Sequence, residues 1–264
     1  MLRSMYSGIS GMKGFQTKLD VIGNNIANVN TFGFKKGRVT FKDMISQTIS
    51  GASAPSATIG GTNAKQVGLG TQISSIDTIH TQGNIQTTGR PLDISISGDG
   101  YFVVASGSDT LYTRAGNFYL DENGSLVNSE GLFLQSTGGA NITIPTTAKS
   151  YSISSNGDVV YVAADGTSTT LGPIALAKFA NNEGLEKVGG NTYRETQNSG
   201  TPTTNNVPGT NGTGFLVSGS LEMSNVDLSE EFTEMIVAQR GFQANTRIIT
   251  TSDEILQELV NLKR

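Results

Sequence analysis

Apolar residues recur every three or four positions at the two ends of the chain, and at short alternating intervals through its middle. Near the start, Leu2, Met5, Ile9, Met12, Leu19 and Ile26 follow the three–four spacing of a heptad seam, with Gln16 and Gly23 filling the gaps. Phe15, Ile22 and Val29 widen the stripe on one flank, and the pattern predicts a helix over residues 1–30. Near the other end, Leu228, Met235, Phe242, Ile249 and Leu256 fall at a constant heptad interval. Phe232 and Val260 take the second seam position, and Gln239, Thr246 and Asp253 interrupt it. Ile248, Ile255 and Leu262 broaden this second stripe, which predicts a helix over residues 225–264. Its start signal is Ser224 or Asp227 as N-cap with Glu230 and Glu231 in the first turn. Lys263 and Arg264 close it where the helix dipole favours cations.

The N-terminal helix is weak on its own. Gly8, Gly11, Gly14 and Gly23 each cost about 1 kcal/mol relative to alanine, roughly 4 kcal/mol together. Such a helix is expected to form only when packed against something.

Between the helices the period changes. Residues 31–75 read as a linker or extended segment, although Phe41, Met44, Ile45 and Ile49 would support a further short helix. From residue 76 to 204, short strand-like runs are punctuated by turn residues. Leu92, Ile94 and Ile96 alternate with Asp93, Ser95 and Ser97; Tyr101 to Val104 is a continuous apolar run; Asn123-Gly124 and Asn156-Gly157 mark turns between strands. Residues 205–224 form a second linker. The expected fold class is therefore α+β and mainly β. An antiparallel β domain is flanked by terminal helices that pair as a coiled-coil-like inner domain. Both stripes are wider than a two-helix seam, so a pair alone leaves apolar surface that further copies of the chain can cover. The same stripes also suit two helices packing inside one domain.

Composition narrows the function. Charged residues make up only 15% of the 264 residues and the net charge is −4, which draws the chain neither to nucleic acid nor to anionic lipid. No apolar run reaches the length of a membrane span, so no membrane insertion is expected. The N-terminal residues hold no apolar run of signal-peptide length, which suggests a cytoplasmic protein unless a signal-less route exports it. There is no cysteine, which excludes disulfides and thiolate chemistry. His80, the single histidine, has no histidine or cysteine partner for a metal and reads as structural. The run Asp121 to Gly124 fails as a calcium loop because its glycine comes early and Leu132 stands at position twelve. Gly98-Asp99-Gly100 lacks the third glycine of a phosphate loop. No acid–base or nucleophilic set assembles, so no catalytic, metal or cofactor site is expected. An adhesive or ligand-binding β module is the nearest competing class, but the chain has no tryptophan and no aromatic-rich patch.

Four stretches resemble the axial proteins of the bacterial flagellum, the rod, hook and hook-associated subunits. They are Asp20 to Lys35; Thr88 to Ile94 with Gly98 to Phe102; Tyr112 to Phe118 running into Asp121 to Val127; and Ser224 to Leu228 with Met235-Ile236 and Gln239 to Asn245. The resemblance implies that the terminal helices line a helical tube, with the β domain as the next shell outward. The two seams themselves make Leu2, Met5, Ile9, Met12, Leu19, Ile26, Leu228, Phe232, Met235, Phe242, Ile249 and Leu256 the expected polymerisation residues. The resemblance implies as partners further copies, the rod, hook–filament junction and hook-cap proteins, and the type III export apparatus. The opening Met1 to Gly8, with Thr40 to Met44 and Gly60 to Asn63, looks most like the short hook proteins of Gram-positive bacteria. The expectation is thus a hook subunit, a universal joint carrying torque from rod to filament. The alternative is a distal-rod subunit forming a rigid drive shaft; its length fits, and residues 46–70 lie where distal-rod proteins carry a stiffening insert.

Overall fold

A computed structural model describes residues 2–55, 60–107 and 109–262. The side chains of Leu2 and Thr204 lie outside that description, as do Lys263 and Arg264. The chain forms two compact units. Unit 1 holds residues 1–27, 37–78 and 227–264, and unit 2 holds residues 28–36 and 79–226.

Unit 1 contains both long helices, α1 (Leu2–Ala27) and α2 (Leu228–Asn261). Asp227 caps α2: its Oδ1 accepts from the backbone N–H of Ser229 at 2.8 Å and of Glu230 at 3.4 Å, while Glu230 and Glu231 sit in the first turn. The segment read as a linker holds four strands of unit 1: β1 (Gly37–Asp43), β2 (Ser46–Ser50), β3 (Lys65–Gly68) and β4 (Thr71–Thr78). β1 pairs antiparallel with β4, and β2 with β3. The short helix anticipated around Phe41 and Ile49 does not form. Val39 and Phe41 sit opposite Ile76 and Ile73 on the partner strand, and β-branched neighbours favour the extended chain.

Unit 2 is antiparallel β throughout its described strands. Its main sheet runs in the order Glu186–Gly189, Thr192–Arg194, Asp109–Thr113, Tyr101–Ser106, Phe133–Leu134, Leu126–Val127, Tyr119–Leu120. A three-stranded meander covers Ser150–Ile153, Asp158–Val162 and Ser168–Pro173, and shorter pairs join Ile94–Ser97 to Phe215–Ser218 and Ile85–Thr87 to Ser220–Glu222. The run Tyr101 to Val104 is buried on both faces, as a continuous apolar strand requires. Phe102 and Val104 enter a core with Ile94, Ile96, Phe118, Leu126, Leu134, Ile174 and Leu176, where Phe102 and Phe118 meet edge to face at 5.2 Å. Tyr101 and Val103 enter a second core with Tyr112, Phe179 and Tyr193.

The alternation around Ile94 buries two of its polar members and leaves Ser97 exposed. Asp93 and Ser95 are covered, and each is satisfied: Thr88 Oγ1 donates to Asp93 Oδ2 at 2.7 Å, and Ser95 Oγ lies 2.7 Å from Ser220 Oγ. The turn Asp121 to Gly124 closes with the N–H of Gly124 donating to Asp121 O at 2.8 Å.

Candidate assembly surfaces

In unit 1, α1 packs on β1, β4 and α2. It runs antiparallel to α2. Gly8 faces Ile249, Gly11 faces Asn245 and Phe15 faces Gly241. Lys18 forms an ion pair with Glu234, and Asn25 Nδ2 donates to Glu231 Oε2 at 3.1 Å. The inward seam of α1 is therefore Gly8, Gly11, Phe15, Lys18, Ile22 and Asn25. It meets a row of small and polar residues on α2: Glu231, Ala238, Asn245 and Ser252, all buried except Asn245, which is half-buried.

Polar groups in this seam are satisfied. Asn25 also donates to Gly37 O and accepts from Gly37 N, each at 2.9 Å, and the Ser252 hydroxyl donates to Ile248 O at 2.7 Å. Gly8, Gly11 and Gly14, which weaken α1 locally, are what let it approach its neighbours. A β-carbon on Gly11 would fall 2.8 Å from Asn245 Nδ2, and one on Gly14 would fall 2.8 Å from the Phe41 ring.

Phe15, Ile22 and Ile249 are the large apolar residues that enter this otherwise small and polar seam, and others are left on its flanks. Ile9 is exposed, and Met5, Met12, Leu19 and Ile26 are half-buried; the side chain of Leu2 lies outside the described residues. Leu228 and Phe232 are exposed, and Met235, Phe242, Ile249 and Leu256 are half-buried. At about 100° per residue, Leu228, Phe232 and Ile236 follow one flank of α2. Val237, Ile248, Ile255, Leu259 and Leu262 follow the other, and all eight are exposed. One neighbouring helix cannot cover both flanks. Ile236, Val237 and Leu259 fall outside the heptad reading because they sit off its two seam positions; only the position of α1 shows that they face solvent.

Unit 2 holds a buried polar cluster instead of a catalytic one. Lys35 Nζ lies 2.5 Å from Glu222 Oε1 and donates to Thr81 O at 2.8 Å, and Arg114 Nη1 donates to Glu222 Oε2 at 3.3 Å. Burial pulls the Lys35 ammonium below the usual lysine range, opposed by the Glu222 charge. His80 Nδ1 lies 2.8 Å from the Tyr101 hydroxyl. Burial, with the positive charges of Lys35, Lys187 and Arg114, lowers its pKa to about 4. The Tyr101 hydroxyl thus takes up Nδ1, and Nε2 is buried without a hydrogen-bond partner among the described residues. Among the described residues no three metal-ligating side chains gather.

Three family models match the chain: "Flagella basal body rod protein" over residues 5–35, "Flagellar hook protein FlgE/F/G D1 domain" over residues 95–161, and "Flagellar basal body rod FlgEFG protein C-terminal" over residues 217–262. The flagellar basal-body rod protein FlgG of Bacillus subtilis is 65% identical over the full length of both chains. The chain belongs to the flagellar rod and hook protein family. FlgG of Caulobacter vibrioides is 39% identical over 99% of this chain and all of its own. The flagellar hook protein FlgE of Borreliella burgdorferi is 33% identical, with both chains fully covered, over an alignment of 442 residues. This flagellar axial chain is accordingly a structural protein and not an enzyme. The matched stretches 5–35 and 217–262 take in all but the first residues of α1 and the whole of α2.

Proposed function

We propose that this chain is the distal-rod subunit of the flagellum, polymerising into a straight, stiff tube that works as a drive shaft. The observation that carries this reading is the 65% identity to a basal-body rod protein across the whole of both chains. The hook relatives stand at 33% and 30% identity and need alignments of 442 and 464 residues, against 264 residues here. This reverses the preference for a hook subunit, which rested on short stretches near the N-terminus. The junction and cap partners expected of a hook go with that reading and not with this one.

Polymerisation runs through the helices. Two apolar flanks on different sides of α2 require two different neighbours. Where one flank of each copy seats against the other flank of the next, the contact is heterologous, and heterologous contacts propagate into rings or helical assemblies. Ile45, between β1 and β2, and Ile49, on the two-stranded β2–β3 pair that is marginal alone, are 81% and 65% exposed. Packing against adjacent copies would cover them and stiffen the tube. The chain is exported through the type III channel before assembly.

Electron microscopy of basal bodies from a deletion strain tests the reading. Basal bodies that lack the distal rod are expected. Basal bodies with a complete rod and no hook would return the chain to the hook class.

A further inference from the structure

Three stretches far apart in sequence meet in one bundle of unit 2 with Lys35 and Glu222 buried inside it. Residues 28–36 follow α1, residues 79–83 follow β4, and residues 222–226 precede α2. Through these stretches the chain enters and leaves unit 2. Lys35 binds Glu222 and Thr81 O, and so ties all three together. The backbone N–H of Gly83 donates to Glu222 Oε1 at 3.0 Å, and that of Gly33 donates to Glu222 O at 2.8 Å. Asn225 Oδ1 accepts from Lys36 N at 2.7 Å, while its Nδ2 donates to Ile79 O at 2.8 Å. Arg114 reaches Glu222 from the main sheet. Gly33, with φ +69°, passes so close to that strand end that a β-carbon would fall 2.6 Å from Ala115 N.

The charges are fully enclosed: the side chains of Lys35 and Glu222 are 0% exposed and that of Arg114 is 3%. Stability alone does not account for them, because apolar residues of similar volume commonly serve as well or better. What a charged trio supplies is a single allowed arrangement, since each group must meet its mate or stay buried unpaired. Lys35, Arg114 and Glu222 each fall in a different one of the three family-matched stretches.

We propose that Lys35, Glu222 and Arg114, with Asn225, form a clasp that locks the three exit stretches of unit 2 into one fixed bundle, so that load passing along the chain between its helices and its β domain crosses that bundle instead of three loose linkers. The load-carrying half rests on the drive-shaft reading; the clasp itself does not.

Hydrogen exchange on the purified full-length protein tests the clasp. Two variants are compared with the parent: Asn225→Ala, and the apolar set Lys35→Met, Arg114→Met and Glu222→Leu. Exchange in residues 28–36, 79–83 and 222–226 is expected to rise at least about tenfold, while Tyr101–Ser106 and Leu176–Lys178 keep their protection. Unchanged exchange in the exit stretches overturns the clasp, and so does equal loss of protection throughout unit 2 in Asn225→Ala. If the apolar set does not fold, Asn225→Ala decides. Complementing the deletion strain with Asn225→Ala then tests load: rods that form but swim poorly are expected, and normal swimming with an opened clasp overturns the load role. A failed distal-rod reading would show in the basal bodies of the deletion strain and leave the exchange result standing.

Discussion

Gly241 of α2 leaves no room beside Phe15 of α1: a β-carbon built on it falls 2.6 Å from Phe15 Cζ. The ring is backed by Phe41, with centroids 5.9 Å apart, so it cannot simply swing aside. Inside a helix alanine is worth about 1 kcal/mol over glycine, but here the clash opposes that gain. Gly241→Ala is expected to lower the urea midpoint of the intact protein. In a Phe15→Ala background the same change is expected to stabilise by roughly 1 kcal/mol. Additive effects in that double-mutant cycle would show that the close approach has no energetic weight.

The four glycines of α1 separate by the same reasoning. Gly23 has nothing within 4 Å of a built β-carbon, whereas Gly11 meets the side chain of Asn245 at 2.8 Å. Gly23→Ala is expected to raise stability by about 1 kcal/mol, and Gly11→Ala to give less or to destabilise. Thermal melts of the two variants check this, and equal gains would contradict the placement of the helix seam.

Phe232 is half exposed, and Leu228 is also exposed. Phe232→Asp or Leu228→Asp is expected to abolish polymerisation and leave helical circular dichroism unchanged. Phe242→Asp is expected to do both kinds of harm, because Phe242 is half-buried in unit 1. Sedimentation and negative-stain microscopy read assembly, and filaments of normal length from Phe232→Asp would remove that flank from the interface.

His80 makes stability depend on pH. Its pKa is about 4 in the folded chain and about 6.5 when unfolded. As pH falls below 6.5 the unfolded chain takes up a proton that the folded chain refuses until near 4. Stability is therefore full above about pH 6.5, declines between 6.5 and 4, and levels off below, by up to about 3 kcal/mol. Urea midpoints at several pH values measure the decline, and His80→Gln is expected to flatten it. An equally steep decline in His80→Gln would assign it to other groups.

Much of the fold was legible in the sequence. The heptad of Leu228, Met235, Phe242, Ile249 and Leu256 marks a helix that is there, and Asp227 is its cap. The continuous run Tyr101 to Val104 marks a strand buried on both faces. Phe41 and Ile49 misled because short apolar intervals fit a helix or a twisted ribbon equally, and the ribbon wins only through its pairing partners in β3 and β4. The assembly surface was legible as a stripe but not as a direction. Periodicity tells which residues share a helix face, and says nothing of which face turns inward.

By itself, then, the chain's alphabet determined two terminal helices and an antiparallel β domain, because backbone geometry sets the local period, while the family was legible only through the resemblance of four stretches such as Asp20 to Lys35. Tertiary structure alone decided that Gly8, Gly11, Ala238 and Ser252 line the inward seam beside Phe15 while Phe232, Ile236 and Val237 stay exposed, since close approach of two helices depends on the small residues of both. It alone brought Lys35 to Glu222, 187 positions apart. No local pattern encodes a partner that distant, and only the packed chain excludes the water that would otherwise solvate both charges.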